Sequence, residues 1–124
     1  MKIPFHRPIF SKKTVDDIES VLSSGWVTTG KKTHIFEEKL SKYLDVNNVI
    51  AVNSCTAALH LGAVVSGLKN NDMYIAPTYT FVSSVEIGEY IGATPLLVDI
   101  DMQTMNLDLN QVEDYLKKYG KKVK

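Results

Sequence analysis

Three small residues, Ser54, Cys55 and Thr56, stand between an apolar run at 49–53 and the strong helix formers Ala57, Ala58 and Leu59. The first amides of a helix have no partner within it, and the macrodipole places partial positive charge there. A phosphate can therefore settle on such an end when the flanking side chains are small. The same pattern also describes an ordinary strand-turn-helix crossover in which Ser54 only caps the helix. Phe81 lies just past another apolar segment and near the start of a helix, where a ring either stacks on a planar ligand or fills a core. Trp26, Thr28 and Thr29 sit in a loop bracketed by Gly25 and Gly30 and can line a site, although an aromatic plugging a core edge gives the same pattern. Asp99 and Asp101 alternate to one side beyond a strand. Two carboxylates can hold a cation, but no third ligand is visible, so they read as turn-forming aspartates. His60 has no metal-ligand spacing around it and reads as a satisfied core histidine.

These residues need elements to position them. Pro4 and Pro8 make residues 1–10 an extended arm. Thr14 reads as the cap of a helix with Val15, Ile18, Val21 and Leu22 on one stripe, ended by Gly25. Thr33 precedes a second amphipathic helix that buries Phe36, Leu40, Tyr43 and Leu44 and turns Glu37, Glu38, Lys39 and Lys42 to water. Residues 49–53 read as a buried strand, and 56–65 as a helix apolar on nearly all sides, hence buried. A short strand at 73–76 stops at Pro77, a helix follows from Val82 to Gly92, and a third strand spans 95–100. Asp108 and Gln111 form a capping-box pattern ahead of a last helix whose lysines crowd its C-terminal end.

Alternating strands and helices predict an α/β fold with parallel strands, whose ligands gather at the C-terminal strand ends. Residues 53–56, 78–81 and Asp99 all fall there. With 124 residues, one domain without an internal boundary is expected: an arm, helix and loop over 1–32, then α/β units over 33–124. Fourteen basic and 14 acidic residues cancel, so charge points to neither nucleic acid nor an anionic membrane. One cysteine, Cys55, excludes an intrachain disulfide. With no apolar run of signal or membrane-spanning length, a cytoplasmic setting is expected.

The succession G-W-V-T-T-G-K-K, F-E-E-K-L, A-V-N-S-C-T-A-A-L-H-L, P-T-Y-T-F-V-S-S and G-A-T-P-L-L-V-D-I-D resembles the N-terminal part of the DegT/DnrJ/EryC1/StrS family. The resemblance implies the beginning of the large domain of a fold type I enzyme using pyridoxal 5'-phosphate. Such enzymes are mostly homodimeric aminotransferases that move an amino group from glutamate to a nucleotide-linked keto sugar. It further implies that Ser54, Cys55, Thr56 and Ala57 form the phosphate-binding turn, with backbone amides from Thr56 and Ala57 and the Thr56 hydroxyl. Phe81 corresponds to the ring that stacks on the pyridine, Ser83 falls near the same site, and Thr28 and Thr29 neighbour the substrate. Cys55 is read as a small spacer.

Transamination also needs a lysine to bind the cofactor covalently and a carboxylate to keep the pyridine nitrogen protonated. In the family both lie beyond the stretch that this chain matches, so no catalytic residue is assigned. The resemblance therefore implies a fragment that is inert alone and marginally stable, with a gap in its sheet. Two alternatives stand beside an aminotransferase fragment: a sugar dehydratase of the same family, with histidine in place of the lysine, and a non-catalytic remnant that binds an anion or serves in dimerisation.

Overall fold

A computed structural model describes residues 3–124; the first two residues of the expected arm lie outside the described residues. The chain divides into two compact units, Met1–Ala51 and Val52–Lys124.

In the first unit, residues 3–11 form neither helix nor strand, as the two prolines dictate. Helix α1 spans Lys12–Ser23 and α2 spans Lys31–Leu44. The cap of α1 is Ser11 and not Thr14. Ser11 Oγ accepts the Thr14 N–H at 3.2 Å and meets the Thr14 hydroxyl at 2.9 Å. Two suitable cap residues stand three apart, and the helix takes the earlier one because Lys12 and Lys13 are themselves good helix formers. Gly25, at φ +72°, ends α1 in the left-handed region.

Helix α2 begins earlier than Thr33 suggests, with Gly30 as a cap that offers no side-chain bond. Trp26 folds back over this glycine. Its Nε1–H donates to Thr29 O at 2.9 Å, and a Cβ on Gly30 would stand 2.5 Å from Nε1. The helix ends at Asp45 in the left-handed conformation, with Val46 N–H returning to Ser41 O. None of its residues is buried, and Phe36, Tyr43 and Leu44 of the expected inner stripe are exposed.

The segment at 49–53 is not a strand. A strand requires a neighbour to take its amides, and the sheet of the described residues contains two other segments. The Ala51 N–H instead donates to the Glu37 carboxylate, Oε1, at 2.8 Å. Glu37, expected to face water, therefore turns back along α2 toward this segment.

In the second unit, α3 spans Cys55–Val65, β1 Met73–Pro77, α4 Ser83–Glu89, β2 Thr94–Val98 and α5 Leu109–Tyr119, followed by a 3-10 turn at Gly120–Lys122. The strands pair in parallel from Met73 with Thr94 to Pro77 with Val98, and α4 crosses between them. Alternation puts Tyr74 and Ala76 inside, where they pack with Leu68 and Ala93 against Ala63, Val85 and Ile91. Val98 is fully buried. Tyr74 donates its hydroxyl to Val85 O and lays its ring against Gly88, where α4 has no side chain to obstruct it.

Strand β2 stops at Val98 rather than Ile100, which makes only an isolated antiparallel bridge with Leu107. Met73 also bridges Val123 in parallel, and Lys124 N–H donates to Met73 O at 2.9 Å, so β1 has neighbours on both sides at its first residue. Helix α3 was expected to be buried; none of its residues is, and Leu61, Val64 and Val65 are exposed. His60 is half-buried, edge-on to Tyr90 with ring centroids 5.9 Å apart.

Candidate functional site

Ser54 is extended, at φ −158° and ψ 157°, and its Oγ accepts the Ala57 N–H at 3.1 Å. Its carbonyl accepts the Ala58 N–H. The Ala57 amide, expected to face a phosphate, is thus engaged by the Ser54 cap. Among the described residues the N–H groups of Cys55 and Thr56 and the Thr56 hydroxyl have no chain partner. Ser54 and Cys55 are exposed, and Thr56 and Ala57 half-buried. Two amides and a hydroxyl at the positive end of an 11-residue helix, with no bulky side chain beside them, suit an anion with several acceptor oxygens.

Phe81 lies between β1 and α4 and is 73% exposed, so its ring is not spent on the core. Its carbonyl accepts the Ser84 N–H at 2.9 Å, while the hydroxyls of Thr80 and Ser84 meet at 3.0 Å. Ser83, the first residue of α4, is buried, with 6% of its surface exposed. Helices α3 and α4 pack on one another, which places the Ser54 turn and the Phe81 segment at the starts of two neighbouring helices of the second unit.

Past the strand ends runs a polar network that pattern reading did not find. Thr78 N–H extends the ladder to Val98 O at 2.9 Å, and its hydroxyl donates to Asp99 Oδ1 at 3.1 Å. The same oxygen accepts the Ile100 N–H at 2.8 Å. Asp99 N–H donates to Gln111 Oε1 at 3.2 Å, and Asp99 O accepts the Asp108 N–H at 2.9 Å. Asp108 caps α5 through the Asn110 N–H, as its sequence position predicts. Gln111, however, does not reach back to the Asp108 amide as a capping box would. It bridges Asp99 and Asp108, donating Nε2–H to Asp108 Oδ2 at 3.1 Å.

Hydrogen bonds from Asn110 N–H and from Gln111 hold the Asp108 carboxyl below the usual carboxylate range. Asp101 is lowered in the same way by the Thr104 N–H, a turn-forming role that matches the sequence reading. The one signal for the Asp99–Thr78 tie was the coincidence of both residues at expected strand ends.

Thr28 and Thr29 belong to the first unit. There they line a cavity of about 1200 Å³ together with Ser24, Trp26, Lys32 and Glu38. Trp26 fixes the loop by its bond to Thr29 O. Lys32 forms an ion pair with Asp17 at 2.6 Å, joining α2 to α1 and holding the Asp17 carboxyl below its ordinary value.

The sequence profile of the DegT/DnrJ/EryC1/StrS aminotransferase family matches residues 8–123. The chain is 35% identical over 112 residues to an uncharacterized protein of Methanocaldococcus jannaschii, covering 90% of this chain and 29% of that one. It is 34% identical over 111 residues to the spore coat polysaccharide biosynthesis protein SpsC of Bacillus subtilis, covering 90% and 28%. Among solved structures it is similar to the PMP-form of Spr1654, a putative sugar aminotransferase of Streptococcus pneumoniae. That match has a TM-score of 0.89 and 34% identity, over all of this chain and 31% of the other. The chain thus spans under a third of the length of these relatives. Over that span its α/β architecture is that of the fold type I aminotransferases.

Proposed function

Because the chain belongs to the DegT/DnrJ/EryC1/StrS aminotransferase family, we propose that it is the N-terminal portion of the pyridoxal-phosphate-binding large domain of a sugar aminotransferase. In this reading residues 1–32 are arm, helix and active-site loop, and residues 33–124 are α/β units of one domain. The parent protein is a cytoplasmic homodimer that moves an amino group from glutamate to the keto group of a nucleotide-linked deoxysugar.

The observation that carries this reading is the start of α3. A phosphate monoester finds there the N–H groups of Cys55 and Thr56 and the Thr56 hydroxyl, all without chain partners. Ser54 holds the first turn in shape, and Cys55 and Ala57 leave the approach open by being small. Bound pyridoxal phosphate supplies an electron-accepting ring, through which the carbon bearing the amino group exchanges its proton. The chain's part is binding and orientation: Phe81, exposed beside α4, is the ring proposed to stack on the pyridine, and Ser83 borders the same site. Thr28 and Thr29 are the proposed neighbours of the sugar. The covalent lysine and the carboxylate for the pyridine nitrogen are assigned to the part of the family's length that this chain does not span.

A titration with pyridoxal phosphate, followed by borohydride reduction and peptide mapping, tests the proposal. The expected result is saturable binding, competed by inorganic phosphate, with no stoichiometric adduct on a single lysine. An adduct at one lysine would overturn the assignment of that residue to the missing part, and binding indifferent to phosphate would overturn the role of the Ser54 turn.

A further inference from the structure

We propose that Asp99 is a positioning residue for Phe81, acting through the Thr78 hydroxyl. The inference rests on the cofactor reading of Phe81 given above and adds to it the means by which the ring is held. Phe81 is largely exposed, so core packing does not orient it. Its placement has to come from the backbone of residues 78–82, tied at both ends. At the far end, Phe81 O accepts the Ser84 N–H and Thr80 meets Ser84, which joins the segment to α4. At the near end the tie is Thr78, through its N–H to Val98 O and its hydroxyl to Asp99 Oδ1.

Asp99 is well suited to anchor this end because both its backbone groups and Oδ1 are engaged. Its N–H goes to Gln111 Oε1, its carbonyl takes the Asp108 N–H, and Oδ1 also takes the Ile100 N–H. Through Gln111 and Asp108 the first turn of α5 fixes Asp99, and Asp99 fixes Thr78 three residues before the ring. A stacking ring preorganised in this way loses less freedom when its ligand arrives. The Thr78–Asp99 bond itself is at the surface, so its loss should loosen the segment without unfolding the unit.

The test compares T78V, T78S, D99A and D99N in the full 124-residue chain. Amide exchange of Thr78 and Ser84, whose N–H groups bond Val98 O and Phe81 O at the two ends of the segment, is read alongside titration with pyridoxamine 5'-phosphate, a probe that needs no covalent lysine. T78V and D99A are expected to speed exchange of those amides at least fivefold and to weaken the probe about tenfold, with the melting temperature little changed. T78S restores the donor and D99N keeps the Oδ1 acceptor, so both are expected to stay near the unaltered chain. If T78V leaves the exchange unchanged, or T78S behaves like T78V, the positioning role is overturned. Should the unaltered chain fail to bind the probe, the cofactor reading falls, and the exchange comparison still decides whether Asp99 holds the segment.

Discussion

Glu37 Oε1 accepts the Ala51 N–H at 2.8 Å, so a carboxylate on α2 serves a backbone amide fourteen residues further along. That bond is the main reason the Glu37 carboxyl lies below the ordinary glutamate value, with a lesser contribution from His34, whose Nδ1 is 3.3 Å from Oε2. A carboxyl depressed in the folded chain contributes stability that is complete above its unfolded value and is lost as pH falls through the folded one. The protection of the Ala51 amide, measured relative to its intrinsic exchange rate at each pH, should therefore fall on acidification below the ordinary glutamate range. In E37Q, whose amide oxygen still accepts, this acid step should be absent, and in E37A protection should be low at every pH. An unchanged acid step in E37Q would assign the titration to another group.

Gly30 is required where the indole of Trp26 crosses the start of α2. In G30A the new methyl meets Nε1 and Cδ1 of Trp26, and the ring must leave its bond to Thr29 O. Overpacking of this kind costs about 1–3 kcal/mol. Because Trp26 is the sole tryptophan, its fluorescence reports the change directly: the ring, already exposed but held by its bond to Thr29 O, is expected to lose emission anisotropy as it is released. Anisotropy identical to that of the unaltered chain would show that the ring does not rest on Gly30.

Gly88 has a comparable role in the core of the second unit, where the Tyr74 ring occupies the space of an absent side chain. G88A is expected to destabilise the unit by about 1–3 kcal/mol. V98A, removing two methyls from a fully buried site, should cost about 2 kcal/mol. Urea unfolding followed by circular dichroism measures both, and a midpoint unmoved by G88A would mean that Tyr74 has room to shift.

Thr56 combines a free N–H with a free hydroxyl, and T56V removes the hydroxyl alone while keeping the shape. A hydrogen bond to a charged group contributes about 1.5–3 kcal/mol, so affinity for pyridoxamine 5'-phosphate should fall about 10- to 100-fold. T56S should bind almost as the unaltered chain does. Equal affinity in T56V would remove the hydroxyl from the phosphate site.

The second unit was largely legible because its signals are local. Pro77 ends β1 and Gly92 follows α4, and both strands are recognisable from their apolar runs, although which side of β1 is buried emerges only from the structure. The segment at 49–53 has the same apolar character yet forms no strand, since pairing depends on a neighbour that no local pattern contains. Helix boundaries shifted for smaller reasons: Ser11 and Thr14 both cap well, and glycine stands at the start of α2 because the indole of Trp26, four positions before Gly30, leaves no room for a Cβ. At the site, the small turn and Phe81 were visible as residue types. The Thr78–Asp99 tie was not, because it joins residues far apart in sequence whose meeting depends on the parallel register of β1 and β2.

Met73 pairs with Thr94 on one side and with Val123 on the other, the second a little over twice as far along the chain. Closing a loop costs only about 0.6 kcal/mol more for each doubling of its length. The outer pairing is therefore almost as accessible as the inner one once β1 exists. At Met73 the earlier strand is thus flanked on both sides by segments that follow it in the chain, each within easy reach of closure.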